Sequence, residues 1–571
     1  MAKDKIELLC PVGSLGMLKA AVSSGADSVY LGMNKFNARE SATNFSRNYM
    51  KEAVRICKSN DVRLNLTMNT LIKNSELKEF LDQMKYAYET GIDAVIIQDP
   101  GFIEVIRESF PGLRVHMSTQ AGIMNSAHAN LFTKADRINI ARELSKQNIE
   151  LLRKRYYNEI EMFIHGALCV CVSGSCLLSS FVGGRSGNRG RCAQPCRKKY
   201  GSSFQLSTKE LCLIDKIPEL IKLGVDALKI EGRLRTPFYV ATTAAVYRQA
   251  IDSYYRGNFR VNDLMRSRLK DAFSRGFTEG KFSNDVIFNP KQASGTSKVT
   301  EVMYEVKTKG VQLEERHSTL KELNLPLKPS SGKKLIVRVY NARDAGIANH
   351  YADIIAVDMF QENYDEIRRK VRRPLYAVTP RIMFDSDLDK VRARIKEVAP
   401  QGLIAGNLGI ANMDFKLPII LDYNSNCFND LQLRYYQNLG AKPIMSPELS
   451  IAELEGFKNK DFIVFAQGRL RLMTLAHHLP ESRIRDERGF YFDIKRIFNG
   501  SEILDDKDLG LLNKIKLLIK AGINQIYLDP SLKQNFEEIV RTYRGLLDGK
   551  NMDVSKLQSG STMAWISRGV E

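Results

Sequence analysis

The chain has 571 residues, 44% of them hydrophobic, which is long enough for two or three domains because a single core rarely grows past about 250 to 300 residues. Its 85 Lys and Arg outnumber 65 Asp and Glu, and the resulting net charge of +20 attracts polyanions over long range. No apolar run reaches the roughly 18 to 20 residues of a membrane span, and the start MAKDKIELLCPVGS lacks the pattern of a signal peptide, so the expected setting is cytoplasmic with no membrane partner.

In chain order, strand-like runs are IELLCPV (6–12), VRLNLTM (62–68), RVHMSTQ (114–120), RINIARE (137–143) and EMFIHGA (161–167), separated by helix-length segments. Three more follow glycines that stop a helix: GADSVYLGM from 25, GIDAVIIQDP from 91 and GVDALKIEG from 224. Eight strands within about 245 residues match the count and length of a (β/α)8 TIM-like barrel. A doubly wound open sheet is the runner-up, but no glycine-rich phosphate loop follows the first strand. PVGSLG reads as a turn with Ser14 as a helix cap.

Residues 246–330 read as a helical and β connector that ends in a polar stretch, NPKQASGTSKVTEV. Strands resume near Lys334, and the sequence then echoes itself. YADIIAVDM (351–359) resembles GADSVYLGM, IILDYNSNCFN (419–429) resembles RVHMSTQAGIMN, PIMSPELS (443–450) resembles RINIARELS, and FIVFAQGRLRLMTLAHHL (462–479) falls where MFIHGALCVCVSGSCLL (162–178) would be expected. A fourth glycine junction, GINQIYLDP, lies at 522–530. The expected architecture is therefore α/β, with a TIM-barrel-like catalytic domain over 1–245, a connector over 246–330, a second, degenerate barrel-like domain over 331–548 and a tail over 549–571. In the second copy Arg471, Met473 and His478 stand opposite Cys169, Cys171 and Cys176, so the repeat has lost its thiols.

Five of the nine cysteines fall in residues 166–200, and from Met162 to Lys209 there are basic residues but no acid. In a reducing compartment clustered cysteines are more often metal-binding or catalytic than disulfide-bonded. Cys169, Cys176, Cys192 and Cys196 follow the strand EMFIHGA, at the end of a barrel strand where such enzymes keep their chemistry. Zinc sites usually show two tight pairs. The uneven spacing here, with Pro195 beside Cys196, fits an iron–sulfur cluster at least as well, and structural zinc in a non-catalytic RNA-binding factor stays open. Cys171 reads as packing. Arg185, Arg189, Arg191 and Arg197 alternate with glycines beside the thiols and read as contacts to RNA phosphate or to the cluster. Glu143 and Glu231 are candidate acids or bases, His165 a proton carrier, and Lys229 or Arg233 a clamp for a dicarboxylate. Lys229 and Glu231 read equally well as an ion pair at the barrel mouth. Ser118 and Gln120 sit at another strand end.

The run E-x-F-x2-G-A-L-C-x4-G-x-C-x-L-S from Glu161 to Ser179, together with PVGSLGMLKAAVSSGADSVYLG, ARELS, GNRGRCAQPCR and LKIEGRLRTPFYVA, resembles the signature of the collagenase-like peptidase family U32 over at least the first 250 residues. The second half, with QGRLRLMT, resembles the extended members that act on ribosomal RNA. The resemblance implies oxygen-independent hydroxylation, forming 5-hydroxycytidine in large-subunit (23S) rRNA or 5-hydroxyuridine in tRNA. It also implies a [4Fe-4S] cluster on Cys169, Cys176, Cys192 and Cys196, supplied by iron–sulfur assembly machinery, and prephenate as the hydroxyl-donor co-substrate. GGRSGNRGRCAQPCR looks closest to the rRNA branch. A peptidase reading has less chemistry behind it, because the sequence has neither H-E-x-x-H nor G-x-S-x-G. His165, on the same strand as Cys169, pairs with it only if the strand breaks at Gly166.

Overall fold

The computed structural model describes residues 5–297, 304–308, 313, 315–530, 535–558, 561–563 and 565–570. Parts of the expected connector, including 298–303, and of the expected tail lie outside them. The chain divides into two compact units. The first comprises residues up to Ile72, Glu76–Gly174 and Ser186–Glu322, and the second Lys73–Ser75, Ser175–Arg185 and the chain from Leu323 onward. The stretch 246–322 thus groups with the first unit, contributing the end of the helix Pro237–Tyr255, the helix Asp263–Ala272 and a short strand.

In the first unit the strands are β1 (Glu7–Pro11), β2 (Ser28–Leu31), β3 (Arg63–Met68), β4 (Ala94–Ile97), β5 (Arg114–Met117), β6 (Arg137–Asn139), β7 (Glu159–Ala167), β8 (Glu210–Cys212), β9 (Ala227–Ile230) and β10 (Phe277–Thr278). β1 to β6 pair in sequence order, β6 pairs with β7, β7 with β9 and β9 with β1, all parallel, which closes an eight-stranded barrel. β8 adds to β7 antiparallel and β10 extends it. The eight runs expected from the sequence are these eight barrel strands. Ser14 caps the first helix, its hydroxyl accepting from Met17 N at 3.3 Å. The four junction glycines Gly25, Gly91, Gly224 and Gly522 all have positive φ, the left-handed conformation that ends a helix.

The barrel interior is not purely apolar. Arg137 lies 2.6 Å from both Glu7 and Glu159 and 3.5 Å from Glu161, while Lys229 donates to Glu161 at 2.7 Å. Above this ion layer Leu9, Tyr30 and Ile96 pack together, and Lys229 Nζ lies 4.3 Å from the Tyr30 ring centroid. Closed strands satisfy their own backbone, so buried charges can be compensated by neighbouring strands and need no solvent.

The second unit contains β11 (Lys334–Arg338), β12 (Ile354–Asp358), β13 (Leu375–Val378), β14 (Gly402–Ala405), β15 (Ile419–Leu421), β16 (Ala441–Pro443), β17 (Val464–Leu475), β18 (Arg483–Arg485), β19 (Tyr491–Ile497), β20 (Gly500–Gly510) and β21 (Gln525–Asp529). Its order, β16 through β11 and then β21, β17 and β20, repeats that of the first barrel, β6 through β1 and then β9, β7 and β8. β20 runs antiparallel to β17 as β8 does to β7, and a parallel bridge between Ile444 and Ile463 curls the sheet back on itself.

The repeat extends to an irregularity. The β7–β9 register shifts between Phe163 and His165 and is followed by Gly166 at φ 101°. The β17–β21 register shifts between Phe465 and Gln467 and is followed by Gly468 at φ 131°. A Cβ at Gly166 would stand 2.6 Å from Glu231 O, and one at Gly468 2.2 Å from Asp529 O, so only glycine fits either place. Tyr247 OH donates to Ile164 O, and Tyr543 OH correspondingly to Ala466 O. Glu231 and Asp529 are thus equivalent, as are Cys169 and Arg471.

Candidate active site

The polar groups of the first unit's mouth follow the C-terminal ends of β2, β6 and β9. Arg233 is 4% exposed and donates to Asn37 Oδ1 at 2.9 Å, to Thr67 Oγ1 at 3.1 Å and to Asn44 Oδ1. All three partners are neutral, and burial lowers its pKa to about 10. Arg39, from the loop after β2, reaches Glu231 at 3.3 Å. Burial works to raise the Glu231 carboxyl, but Arg39, Arg235 and Arg142 together hold it below the usual carboxylate range. Lys229 lies deeper and belongs to Glu161, so the ion pair between Lys229 and Glu231 does not form. Burial depresses the lysine.

Glu143 is 4% exposed, and its Oε2 meets no hydrogen-bond partner. Burial raises its pKa to about 7 against the opposing pull of Arg142 and Lys281. Arg142 lies with its guanidinium carbon 4.3 Å from the Phe163 ring centroid, its Nε also without a partner. Arg233 Nε and Gln98 Oε1 share that condition. Buried polar atoms are normally bonded, so these four are the groups at this barrel mouth left open to a polar ligand or water. Ser118 Oγ is engaged otherwise, accepting from Asn69 Nδ2 at 3.1 Å and Gln120 N at 3.2 Å.

His165 corrects the sequence reading. The register shift turns it out of the barrel, where its Nδ1 lies 3.3 Å from Tyr247 OH and its ring packs against Tyr239, Tyr247 and Phe277. Burial lowers its pKa to about 3, so near neutrality it carries no exchangeable positive charge. The strand does break at Gly166, but the break sends His165 toward the tyrosines.

Cys169, Cys192 and Cys196 belong to the first unit, with Cys192 exposed and the other two half-buried. Cys176 sits on the segment Ser175–Arg185, grouped with the second unit, where Leu177 N donates to Leu472 O at 2.7 Å and Phe181 meets Trp565 edge-on. Cys171 is fully buried. Among the described residues no three His, Cys, Asp or Glu side chains are already assembled as a metal site. The fit of an iron–sulfur cluster rests on donor chemistry: Cys169 and Cys192 lie in the field of Arg39, and Cys169 and Cys196 in that of Arg197. Soft donors next to two guanidinium groups suit an anionic thiolate-bound centre.

The loop arginines divide. Arg189 forms a bidentate pair with Glu76 at 2.8 and 2.6 Å and also donates to Leu71 O at 2.9 Å. Arg197 donates to Ser207 Oγ, Thr208 O and Thr208 Oγ1 at 2.6 to 2.9 Å. Both hold the loop in place, which corrects their reading as RNA contacts. Arg185 and Arg191 are exposed, although Glu40 stands 3.0 Å from Arg191. The loop has no acid of its own, but acids distant in sequence fold onto it. Arg39, Arg142 and Lys281 were missed by sequence reasoning. Arg39 and Arg142 follow strand ends, a positional signal that was available, whereas Lys281 approaches from a segment read as connector.

A (β/α)8 barrel whose mouth combines buried arginines, a carboxyl titrating near neutrality and nearby thiols belongs to the class of barrel enzymes. The model of peptidase family U32 matches residues 13–287. The chain is 36% identical over 306 residues to an uncharacterised protease of Methanocaldococcus jannaschii, covering 50% of this chain and 74% of that one. It is 36% identical over 269 residues to tRNA hydroxylation protein P1 of Bacillus subtilis, covering 44% and 64%. A 23S rRNA 5-hydroxycytidine synthase of Escherichia coli is 34% identical over 300 residues, 49% of this chain and 45% of that enzyme. The chain belongs to peptidase family U32. Among the described residues no helix is long and apolar enough to cross a membrane.

Proposed function

We propose that this protein is a cytoplasmic RNA hydroxylase that replaces the C5 hydrogen of a cytidine in 23S rRNA by hydroxyl without molecular oxygen. The observation that carries the reading is the first-unit mouth, where Glu143, buried and raised to about 7, stands near Arg142, and where the Nε atoms of Arg142 and Arg233 have no partner. Relatives named for tRNA hydroxylation and rRNA 5-hydroxycytidine synthesis support RNA hydroxylation. The rRNA enzyme, like this chain, extends about as far again beyond the matched region, which favours the ribosomal substrate.

Cys169, Cys176, Cys192 and Cys196 would hold a [4Fe-4S] cluster delivered by iron–sulfur assembly machinery, and when bound it would supply one-electron chemistry. Arg142, Arg39 and Arg233 bind and orient the carboxylates of an anionic hydroxyl donor, prephenate in this reading, through charge-assisted hydrogen bonds. Glu143, raised to about 7 by burial, gives or takes a proton near neutral pH as charge changes on the bound donor or base. Glu231, kept ionised, fixes Arg39. The pyrimidine must be unstacked to reach this mouth, so the substrate is unassembled rRNA or a flipped base. A thiol peptidase would need a histidine base beside its cysteine, and His165 bonds Tyr247 instead.

Nucleoside mass spectrometry of rRNA and tRNA from cells with and without the gene tests the proposal. Loss of a 16-mass-unit addition to cytidine in 23S rRNA is the expected result. Loss from a tRNA uridine would transfer the activity to tRNA, and no loss from any pyrimidine would refute it. A colourless, zinc-loaded protein after anaerobic purification would remove the cluster.

A further inference from the structure

At the mouth of the second barrel a cavity of about 290 Å³ opens where β11, β12 and β13 end. Its inner wall is Arg338, the last residue of β11, with Arg381 and Arg471. Its outer wall is the hairpin of β19 and β20, which brings Lys495, Arg496 and Phe498 over it. Two of the inner arginines are well matched: Arg381 donates to Asp422 at 2.9 and 2.7 Å, and Arg471 reaches Glu502 at 3.0 Å and Asp529 at 2.8 Å. Arg338 is 5% exposed; it donates to Asp358 at 3.2 Å and lies 3.7 Å from Asp529, and only its Nε has no partner. Among the described residues neither Lys495 nor Arg496 forms an ion pair, and Lys495 Nζ lies 5.1 Å from the Tyr340 ring centroid. Five cations and three carboxylates (Asp358, Asp422, Glu502) line the cavity, and Asp529 behind it pairs with Arg471 and Arg338, which leaves a surplus of one positive charge.

At the rim Phe360 and Phe498 stack with centroids 4.7 Å apart and planes 6° from parallel, both partly exposed. A hydrophobic pair of this kind is usually buried. Held flat at the edge of a cationic cavity, it offers a π-face to another ring, and stacking platforms beside backbone-tracking cations are how proteins hold single-stranded nucleic acid. The volume lies at the lower end of small-molecule sites, suited to one nucleotide.

We propose that the mouth of the second barrel binds one nucleotide unit, its base stacked on Phe498 and its phosphate held by Lys495, Arg496 and Arg338. The hydroxylase reading is needed only for the source of that nucleotide, which it assigns to the RNA substrate. The site then captures a single-stranded segment at the mouth where Arg471 stands in place of Cys169.

The test uses the full chain and measures binding of a labelled single-stranded RNA dodecamer, of cytidine and uridine monophosphates, and of inorganic phosphate, for the wild type, K495A/R496A, F498L and F498Y. The expected result is RNA binding weakened about tenfold in K495A/R496A, with the salt slope lower by about 0.7 for the one phosphate no longer neutralised. F498L should lose about five- to tenfold, the lower part of the stacking range, and F498Y should restore it. Monophosphates that bind tightly and lose affinity in the same variants, with RNA unaffected, would keep the nucleotide chemistry and assign the source to free nucleotide. Inorganic phosphate binding as tightly as the monophosphates with F498L unchanged, or RNA and nucleotides both unaffected by every variant, would overturn the site. Intact nucleotide binding together with unmodified rRNA would sink the hydroxylase reading alone.

Discussion

The two barrels share strand order, an antiparallel partner on the seventh barrel strand and a glycine bulge 302 residues apart, yet their mouths differ in charge chemistry. In the first, Arg233 is held by neutral oxygens, Arg142 lies over a ring, and Glu143 Oε2 is left unbonded. In the second, Arg471 replaces Cys169 and closes on Asp529, the counterpart of Glu231, while Arg381 closes on Asp422. The first mouth keeps several unbonded polar atoms, whereas in the second Arg338, Arg381 and Arg471 each meet a carboxylate, only Arg338 Nε is left unbonded among them, and among the described residues Lys495 and Arg496 at the edge form no ion pair. The exchange of one thiol for an arginine thus neutralises the opposing carboxylate in the second copy.

Cys169→Ser should have the largest effect, loss of RNA hydroxylation by more than about a hundredfold together with the visible absorption of anaerobically purified protein. Arg471→Ala, at the equivalent position, should retain that absorption. A colourless R471A or an unchanged C169S would break the comparison between the barrels.

Glu143→Gln should lower the hydroxylation rate by about a hundredfold or more and flatten its pH dependence near 7. The folded state raises this carboxyl from its ordinary value to about 7, so it favours the protonated form. Its contribution to stability is complete below the unfolded value near 4.3 and is lost as pH rises through about 7. Glutamine removes that loss, so E143Q should unfold at higher denaturant than the wild type at pH 8.5, by up to roughly 3 kcal/mol, and equally at pH 4. Equal stability at pH 8.5 would show that the carboxyl titrates normally.

Arg471→Ala should destabilise the protein by about 3 kcal/mol, because buried Glu502 and Asp529 are left with only their longer ion pairs to Arg381 at 3.6 Å and Arg338 at 3.7 Å. The double variant R471M/D529N should recover part of the loss, as read from denaturant midpoints. Arg189→Ala should have the smallest effect, about 1 to 3 kcal/mol of stability from the broken pair with Glu76. Its salt slope for RNA binding should stay that of the wild type, and a slope falling by about one would return Arg189 to the RNA.

Much of the scaffold was legible because its signals are local. Glycine at helix ends, Ser14 as a cap and short apolar runs are short-range chemistry, and they placed all eight barrel strands and the four junctions. The offset near 302 found the repeat because duplicated strands keep their spacing. Glu143 was legible as a polar residue just past a strand end.

Pairing was decided by the tertiary structure, since Coulomb and hydrogen-bond partners are set by distance in space. Glu76 and Glu40 fold onto a loop that has no acid of its own, and Glu161 takes Lys229 from Glu231. A one-residue register shift turns His165 from the barrel to the tyrosines. The sequence determined which charges and thiols this protein carries and on which strands. Only the closed fold decided which of them are spent on each other and which remain for a ligand, because burial makes an unmatched charge costly and so forces every nearby group to be matched or left for something that binds.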